Sequence, residues 1–310
     1  MKLNVLEIAK NSTNIFYKLR WGSTIYCPRC ASIHIYNKEA GKRHICADCG
    51  YRFSDTSNTI FHSSKLSLDK WLVAIYMFCN QSKGVSSYNL SRMIGVSQPS
   101  CWGMLKKLRE SIKVDLKIND IGMMDEVYLG ADWSKKPQRE KFKHVKPLPS
   151  HLDPCLEKNW LRCEMMRAAS ADKIQILGIS AYNNRYVSLQ GYNTDITRSI
   201  VKSHITTKYD NVKEWVTDES TLYRFLDVEP QYTHHVCKHK ENIYRSDEGY
   251  SSNRLEGVFS HLKRVWRGIY HHFSKKYSQS YLNEFCWRWS YFDEPVESRL
   301  NRLFEFLVAG

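Results

Sequence analysis

No stretch of the 310-residue chain runs for the roughly 18 apolar residues that a membrane-crossing helix needs. The opening residues, MKLNVLEIAKNSTN, set Glu7, Lys10 and Asn11 where a secretory signal requires an unbroken apolar core. A membrane partner is therefore excluded from the expectation, and the cytoplasm is the expected compartment. Acidic residues are also in short supply: 32 Asp and Glu stand against 46 Lys and Arg, a net charge of +14. Such a surface favours a polyanionic partner over a cationic one. The deficit is local, because residues 1–118 hold 18 Lys and Arg but 7 Asp and Glu, an excess of 11 out of the 14. The first third of the chain is thus the expected nucleic-acid contact region, with a generally basic surface as the alternative. The length allows about two domains with small satellites.

Ten cysteines are present, and in a reducing compartment they are not read as disulfides. Their spacing singles out four. Cys27 and Cys30, then Cys46 and Cys49, form two C-x-x-C knuckles separated by fifteen residues. Each tight turn points two sulfurs at one point, and two such turns complete the four-thiolate shell of a structural zinc ion. The segments SIHIYN and KRHIC between and into the knuckles read as a short hairpin. So small a unit lacks a sufficient core, so that metal binding would supply its folding energy. A redox dithiol is the competing reading, but it needs only one knuckle.

Beyond a polar linker, LSLDKWLVAIYMFCNQ has apolar residues at helical spacing. Then GVSSYNLSRMIGVSQPSCWGMLKKLRES reads as helix, tight turn and helix, with Leu90, Met93 and Ile94 inward, Ser97 as a cap and Pro99 in the first turn. This is a helix-turn-helix pattern, with an ordinary helical hairpin as the alternative. Its second helix carries Lys106, Lys107 and Arg109 and is the one expected in the DNA major groove.

From about residue 121 the periodicity changes to strands. IGMMDEVYLG, KIQILGISAY and RYVSLQGYN are three candidates, followed by a helix near DITRSIVKSHITTKY with Asp195 as its cap. VKEWVTDES then reads as a strand ending in Asp218, STLYRFL as a short helix, PQYTHHVCKH as a strand and SSNRLEGVFSHLKRVWRG as an amphipathic helix. Three strands, helix, strand, helix, strand, helix is the order of ribonuclease H-like folds. That fold brings acids from the first strand, the end of the fourth and the last helix onto two magnesium or manganese ions. Here these are Asp125, Asp218 and Glu256. Neighbouring strand residues face opposite ways, so Asp125 is assigned to the metals and Glu126 to the other face; a pair of surface acids on an edge strand is the alternative. Asn253, Glu256 and Lys263 share one helix face, which suits a metal ligand with a phosphate-holding lysine two turns on, or else a surface ion pair. The run HLKRVWRGIYHHFSKK, with Lys263, Arg264 and Arg267, is basic and interleaved with aromatics, which suits a DNA-backbone groove. His235, Cys237 and His239 alternate along a strand and are read as packing, with a second metal site as the other reading. Residues 131–172 form a Lys- and Pro-rich insertion between the first two strands. The aromatics of SYLNEFCWRWSYF are expected to pack a C-terminal helix against the sheet.

With CPRC, CADCG, FSDTSNTIF, GVSSYNLSRMIGVSQPSCWGML, MDEVYLG, VTDES, HHVCKH, NRLEGVFSHLKR, RGIYHHFSKKY and YLNEFCWRWS in that order, the sequence resembles bacterial insertion-sequence DDE transposases with an N-terminal zinc ribbon, the fifteen-ninety-five type. The resemblance spans nearly the whole chain. It implies an α/β protein: a zinc ribbon with an N-terminal helix in residues 1–60, a helix-turn-helix domain in 61–118 and a ribonuclease H-like catalytic domain in 119–310. It further implies Asp125 and Asp218 as catalytic aspartates, two Mg2+ or Mn2+ ions, a structural Zn2+, and a bacterial protein working at the nucleoid. The implied activity is cleavage at element ends and strand transfer into double-stranded target DNA by a homodimer or larger assembly. Relatives carry Asn or Glu before the lysine; Glu256 is taken as the third ligand because a carboxylate binds hard cations better than an amide, and Asn253 stays as a candidate for positioning. An inactive DNA-binding regulator and a ribonuclease H-like nuclease are the rival functions.

Overall fold

In the computed structural model, residues 5–114, 116–130, 145–151, 153, 157–171, 173–237 and 249–308 are described. The chain forms two compact units, one of residues 1–114 with 283–310 and the other of 115–282. Among the described residues no helix is long and apolar enough to cross a membrane.

The first unit opens with helices α1 (Val5–Lys10) and α2 (Ser12–Trp21). Strands β1 (Ile35–Tyr36), β2 (His44–Cys46) and β3 (Arg52–Phe53) then form a three-stranded antiparallel sheet. The expected hairpin is its first two strands. A buried carboxylate ties this small sheet to α2: Asp55 Oδ1 accepts from Trp21 Nε1 at 2.8 Å and pairs with His44 Nε2 at 2.9 Å, and its Oδ2 accepts from the Gly41 N–H at 2.8 Å. Three helices follow, α3 (Leu68–Asn80), α4 (Ser87–Ile94) and α5 (Gln98–Ser111). Gly95 ends α4 in the left-handed region, where a side chain would be strained, and Pro99 sits in the first turn of α5. The expected helix, tight turn and helix are therefore present, with Leu90 and Ile94 buried; Met93, expected inward, is instead exposed. Ser97 stands at the N-cap of α5, but its hydroxyl donates to Ser100 Oγ rather than accepting from the backbone.

The second unit is built on β4 (Ile121–Leu129), with α6 (Glu157–Ala171), β5 (Ile174–Ala181), β6 (Val187–Tyr192), α7 (Arg198–Lys208), β7 (Glu214–Asp218), the one-turn α8 (Phe225–Val228), β8 (Thr233–Cys237) and α9 (Asn253–Val265). The sheet order is β6-β5-β4-β7-β8; β6, β5 and β4 are mutually antiparallel, whereas β4, β7 and β8 run parallel. This five-stranded mixed sheet flanked by helices is the ribonuclease H-like arrangement. The insertion contributes α6, and its residues 131–144 lie outside the described residues. Helix α7 is capped not by Asp195 but by Thr197, whose hydroxyl accepts from the Ile200 N–H; Asp195 instead accepts from Gln175 Nε2.

The C-terminal helices α10 (Ser278–Ser290) and α11 (Val296–Val308) depart from the expectation. The first turns of α10 cover the edge of β6, where Gln279 accepts from the Gly191 N–H and donates to the Leu189 carbonyl, both at 2.9 Å. From Asn283 onward the chain belongs to the first unit rather than to the sheet. Apolar spacing explains why: Leu300, Leu303, Phe304 and Leu307 line one face of α11 and enter a core with Phe16, Phe61, Trp71 and Phe78. Burying each such side chain stabilises by roughly 1.5–3 kcal/mol.

A buried ion triad joins the two sequence-distant parts of the first unit. Glu284, fully buried, accepts from Arg109 Nε at 2.6 Å and from Arg288 Nε and Nη2 at 2.9 and 2.7 Å. Arg288 also donates to the Gln81 carbonyl at 2.6 Å and lies 4.4 Å from the Phe78 ring centroid. Burial pushes the Glu284 carboxyl up, but Arg109 and Arg288 outweigh it and hold the group below its ordinary value. Its contribution to stability is complete above the ordinary glutamate range and is lost as pH falls through the depressed folded value. Replacing Glu284 by Ala leaves two buried guanidinium groups uncompensated, and is expected to destabilise the first unit by about 3–5 kcal/mol. Urea unfolding followed by tryptophan fluorescence checks this, and an unchanged midpoint would contradict it.

Candidate active site

Strand β4 pairs with β7 through Ile121↔Glu214, Gly122↔Trp215 and Met123↔Val216. Two residues further, the same register sets Asp125 beside Asp218, the last residue of β7. The ladder stops before that point, so the two strands part with a carboxylate on each side of the gap. On its other edge β4 stays fully paired, with Asp125 opposite Gly178 and Glu126 opposite Leu177 of β5.

Asp125, Glu126 and Asp218 each place a carboxylate oxygen within 4.8 Å of the others. Glu126 is therefore a correction: it was expected on the opposite face, and it joins the cluster. Glu126 lies beyond the last β4–β7 pair, where the gap between the strands is open to its longer side chain. Its carboxylate is held by the segment after Asp218, with Oε1 accepting from Ser220 Oγ at 3.2 Å and Oε2 from Tyr223 Oη at 2.5 Å. Asp218 Oδ1 accepts from the Ser220 N–H at 3.0 Å, and Asp125 Oδ1 from the Glu126 N–H at 2.7 Å. Behind Asp218, its carbonyl accepts from Thr217 Oγ1, which also meets His234 Nε2 at 2.8 Å, and His234 Nδ1 meets Asp227 at 2.6 Å.

Burial, then Asp218, then Glu126 and Glu256 push the Asp125 carboxyl up to about 8. Burial and Asp218 raise Glu126 as well, against the lowering effect of its bonds from Tyr223 and Ser220. Carboxylates crowded in this way hold a proton or take a cation, and an all-oxygen donor set is that of magnesium or manganese. The residues present fit such an ion.

Glu256 comes from α9, on an exposed position of that helix. It lies outside the group of three, yet near enough to Asp125 to raise it. Gly178 permits this approach: a Cβ there would stand 2.7 Å from the ring of Phe259. Phe259 lies one turn beyond Glu256, so α9 rides close over β5 at the residue opposite Asp125. Arg254 fixes the start of the helix by donating to the carbonyls of Ala181, Tyr182 and Asn184. Asn253 is exposed in its first turn, its N–H donating to Ser251 Oγ. Lys263, Arg264 and Arg267 are all exposed along α9 and the π-helical turn Trp266–Tyr270 that continues it.

The four expected zinc ligands also converge. Cys27 Sγ lies 3.6 Å from Cys49 Sγ, and Cys30 Sγ lies 3.6 Å from Cys46 Sγ. A zinc–sulfur bond of about 2.3 Å gives a tetrahedral edge of about 3.8 Å, so the thiol group fits that ion. Among the described residues these two groups, the thiols and the acids, have metal-holding geometry. His235 instead pairs with Glu214 at 3.6 Å and packs its ring, tilted by 46°, against Tyr250, and Cys237 donates to the Tyr250 carbonyl; His239 lies outside the described residues.

On α5, Lys107 is exposed, and Lys106 pairs with Glu110 at 3.6 Å. Arg109 corrects the expectation of a DNA contact. It is 2% exposed and committed to Glu284, because the i, i+4, i+8 row of Cys101, Leu105 and Arg109 faces the core.

Comparison with known proteins gives two family matches and a relative. Residues 12–52, with all four cysteines, match the transposase zinc-ribbon domain. Residues 181–290, with Asp218, Asn253, Glu256 and Lys263, match the ISXO2-like transposase domain. The chain is 20% identical over 309 residues to an uncharacterized protein in transposable element ISH50 of Halobacterium salinarum, covering 98% of this chain and 99% of the relative. The chain thus carries a match to a transposase zinc ribbon followed by a match to an ISXO2-like transposase domain, on a ribonuclease H-like sheet.

Proposed function

We propose that the protein is an active DNA transposase that binds the terminal repeats of its element and catalyses metal-dependent cleavage and strand transfer. The observation that carries the reading is the meeting of Asp125, Glu126 and Asp218 within 4.8 Å where β4 and β7 part. Two bound Mg2+ or Mn2+ ions would supply activation of the attacking oxygen and stabilisation of the leaving oxygen. Asp125 and Asp218 hold those ions, and Glu256 completes the acidic set from α9. Lys263, two turns along the same helix, and Arg264 and Arg267 hold the phosphates of the end being cut. Lys106 and Lys107 of α5 contact the repeat, and the zinc ribbon adds a second DNA-binding element. Cutting and joining two ends together requires a dimer or larger assembly, acting at the bacterial nucleoid.

In an assay of nicking and joining of candidate element ends, Asp125→Ala and Asp218→Ala are expected to lose about 10³-fold or more of activity. Gel-shift binding of the ends should persist in both. A wild-type protein that binds ends yet never nicks them with either ion would defeat the proposal. Glu256→Ala should be as inactive as the aspartate variants while Asn253→Ala keeps measurable cleavage; the reverse pattern transfers the ligand role to Asn253.

Gly178→Val should lift Phe259 and with it Glu256 from Asp125. A displacement of about 1 Å at a reacting centre costs on the order of 10²-fold, so cleavage should fall by that order while end binding is unchanged. Full activity of this variant would show that α9 does not need its close seat.

Stripping zinc with a strong chelator, or Cys27→Ser, should unfold the ribbon, because metal binding supplies its folding energy. Loss of zinc by metal analysis together with a weakened gel shift of the ends is the expected result. Unchanged end binding after zinc loss would remove the ribbon from DNA recognition.

A further inference from the structure

Tyr223 has no evident reason to carry a hydroxyl on packing grounds. Its side chain is fully buried in a core with Met124, Trp215, Phe225 and Leu226, all of them apolar and nearly inaccessible. A phenol oxygen placed there is costly unless it is bonded, and the bond it makes is to Glu126 Oε2. Ser220, three residues earlier, serves both acids at once: its N–H goes to Asp218 and its hydroxyl to Glu126. One short segment, Asp218 to Tyr223, thus carries one carboxylate of the cluster and grips a second. Each carboxylate oxygen has two acceptor positions, so these bonds leave each Glu126 oxygen with a further acceptor position that a cation could use.

We propose that Tyr223 and Ser220 are positioning residues that hold Glu126 in the acidic cluster, so that binding of a hard divalent cation at Asp125 and Asp218 depends on the Tyr223 hydroxyl. The inference rests on the reading of those aspartates as cation ligands. It assigns Glu126 a share in cation binding and gives the short helical turn after β7 a function in the site.

The test is titration of the zinc-loaded full chain with Mn2+, with free aquo-Mn2+ followed by electron paramagnetic resonance. Wild type, Tyr223→Phe, Ser220→Ala, Glu126→Ala and the double variant Tyr223→Phe with Glu126→Ala are compared, with Asp125→Ala as the control. Tyr223→Phe keeps the ring, and its thermal midpoint reports whether the core is intact. The expected result is a Kd raised about tenfold by Tyr223→Phe, a smaller rise for Ser220→Ala, and no further rise when Tyr223→Phe is added to Glu126→Ala. Unchanged Mn2+ affinity in Tyr223→Phe overturns the inference, as does an equal loss in both backgrounds, which would mean that the hydroxyl acts without Glu126. If Asp125→Ala binds Mn2+ as tightly as wild type, the cation reading itself falls and this inference with it. Loss of binding in Asp125→Ala with an unaffected Tyr223→Phe overturns the inference alone.

Discussion

The parallel register between β4 and β7 is the constraint on which the rest of the site depends. Three paired residues, Ile121 to Met123 against Glu214 to Val216, decide which side chains meet two positions later. A slip of one residue would turn every side chain of β4 to the other face. The core forbids it: Gly122 lies against the fully buried Trp215, and a Cβ there would stand 2.4 Å from the indole. The glycine that admits this tryptophan thus fixes the register, and the register places Asp125 beside Asp218. Packing, rather than attraction between acids that repel one another, assembles the cluster.

The same logic recurs across the sheet. Gly178 stands opposite Asp125 and admits Phe259, which brings α9 and Glu256 near the cluster. Two missing side chains, one on β4 and one on its antiparallel neighbour β5, therefore let bulky aromatics set the geometry of the carboxylates. Repulsion among those acids, visible in the raised Asp125 carboxyl, is tolerated because Trp215, Phe259 and Tyr223 are locked in the core around them. Such stored unfavourable interaction is relieved when a cation binds, which is how a rigid scaffold converts packing energy into affinity.

Much of this was legible in the residues. Cysteine spacing announces the ribbon because two-residue gaps leave few other geometries, and the order of strand and helix patterns gives the sheet its topology. The tight turn at Gly95 follows from local chemistry alone. What escaped was set by tertiary context. Glu126 could not be placed by alternation, since the end of the β7 ladder is invisible in the sequence of β4. Arg109 reads as a DNA contact in a basic helix, and its acidic partner Glu284 lies 175 residues away. Trp287 and Phe304 are as compatible with a sheet as with a helical core, and no periodicity distinguishes the two. Tyr223 sits in STLYRFL, which reads as a short apolar helix, and its hydroxyl acquires meaning once Glu126 is in place.

The joining of Arg109 to Glu284 and Arg288 has a consequence in time as well as in space. The first unit is discontinuous: residues 1–114 leave the ribosome before 283–310, with all of 115–282 made in between. Until then Arg109 has no Glu284, and the core around Phe16, Phe61 and Phe304 lacks one wall. Helices α3 to α5 thereby gain their closing wall only after residues 283–310 have been made. A fragment released early in synthesis would carry the basic first third without its closing helices, and so with its core open to solvent on one side.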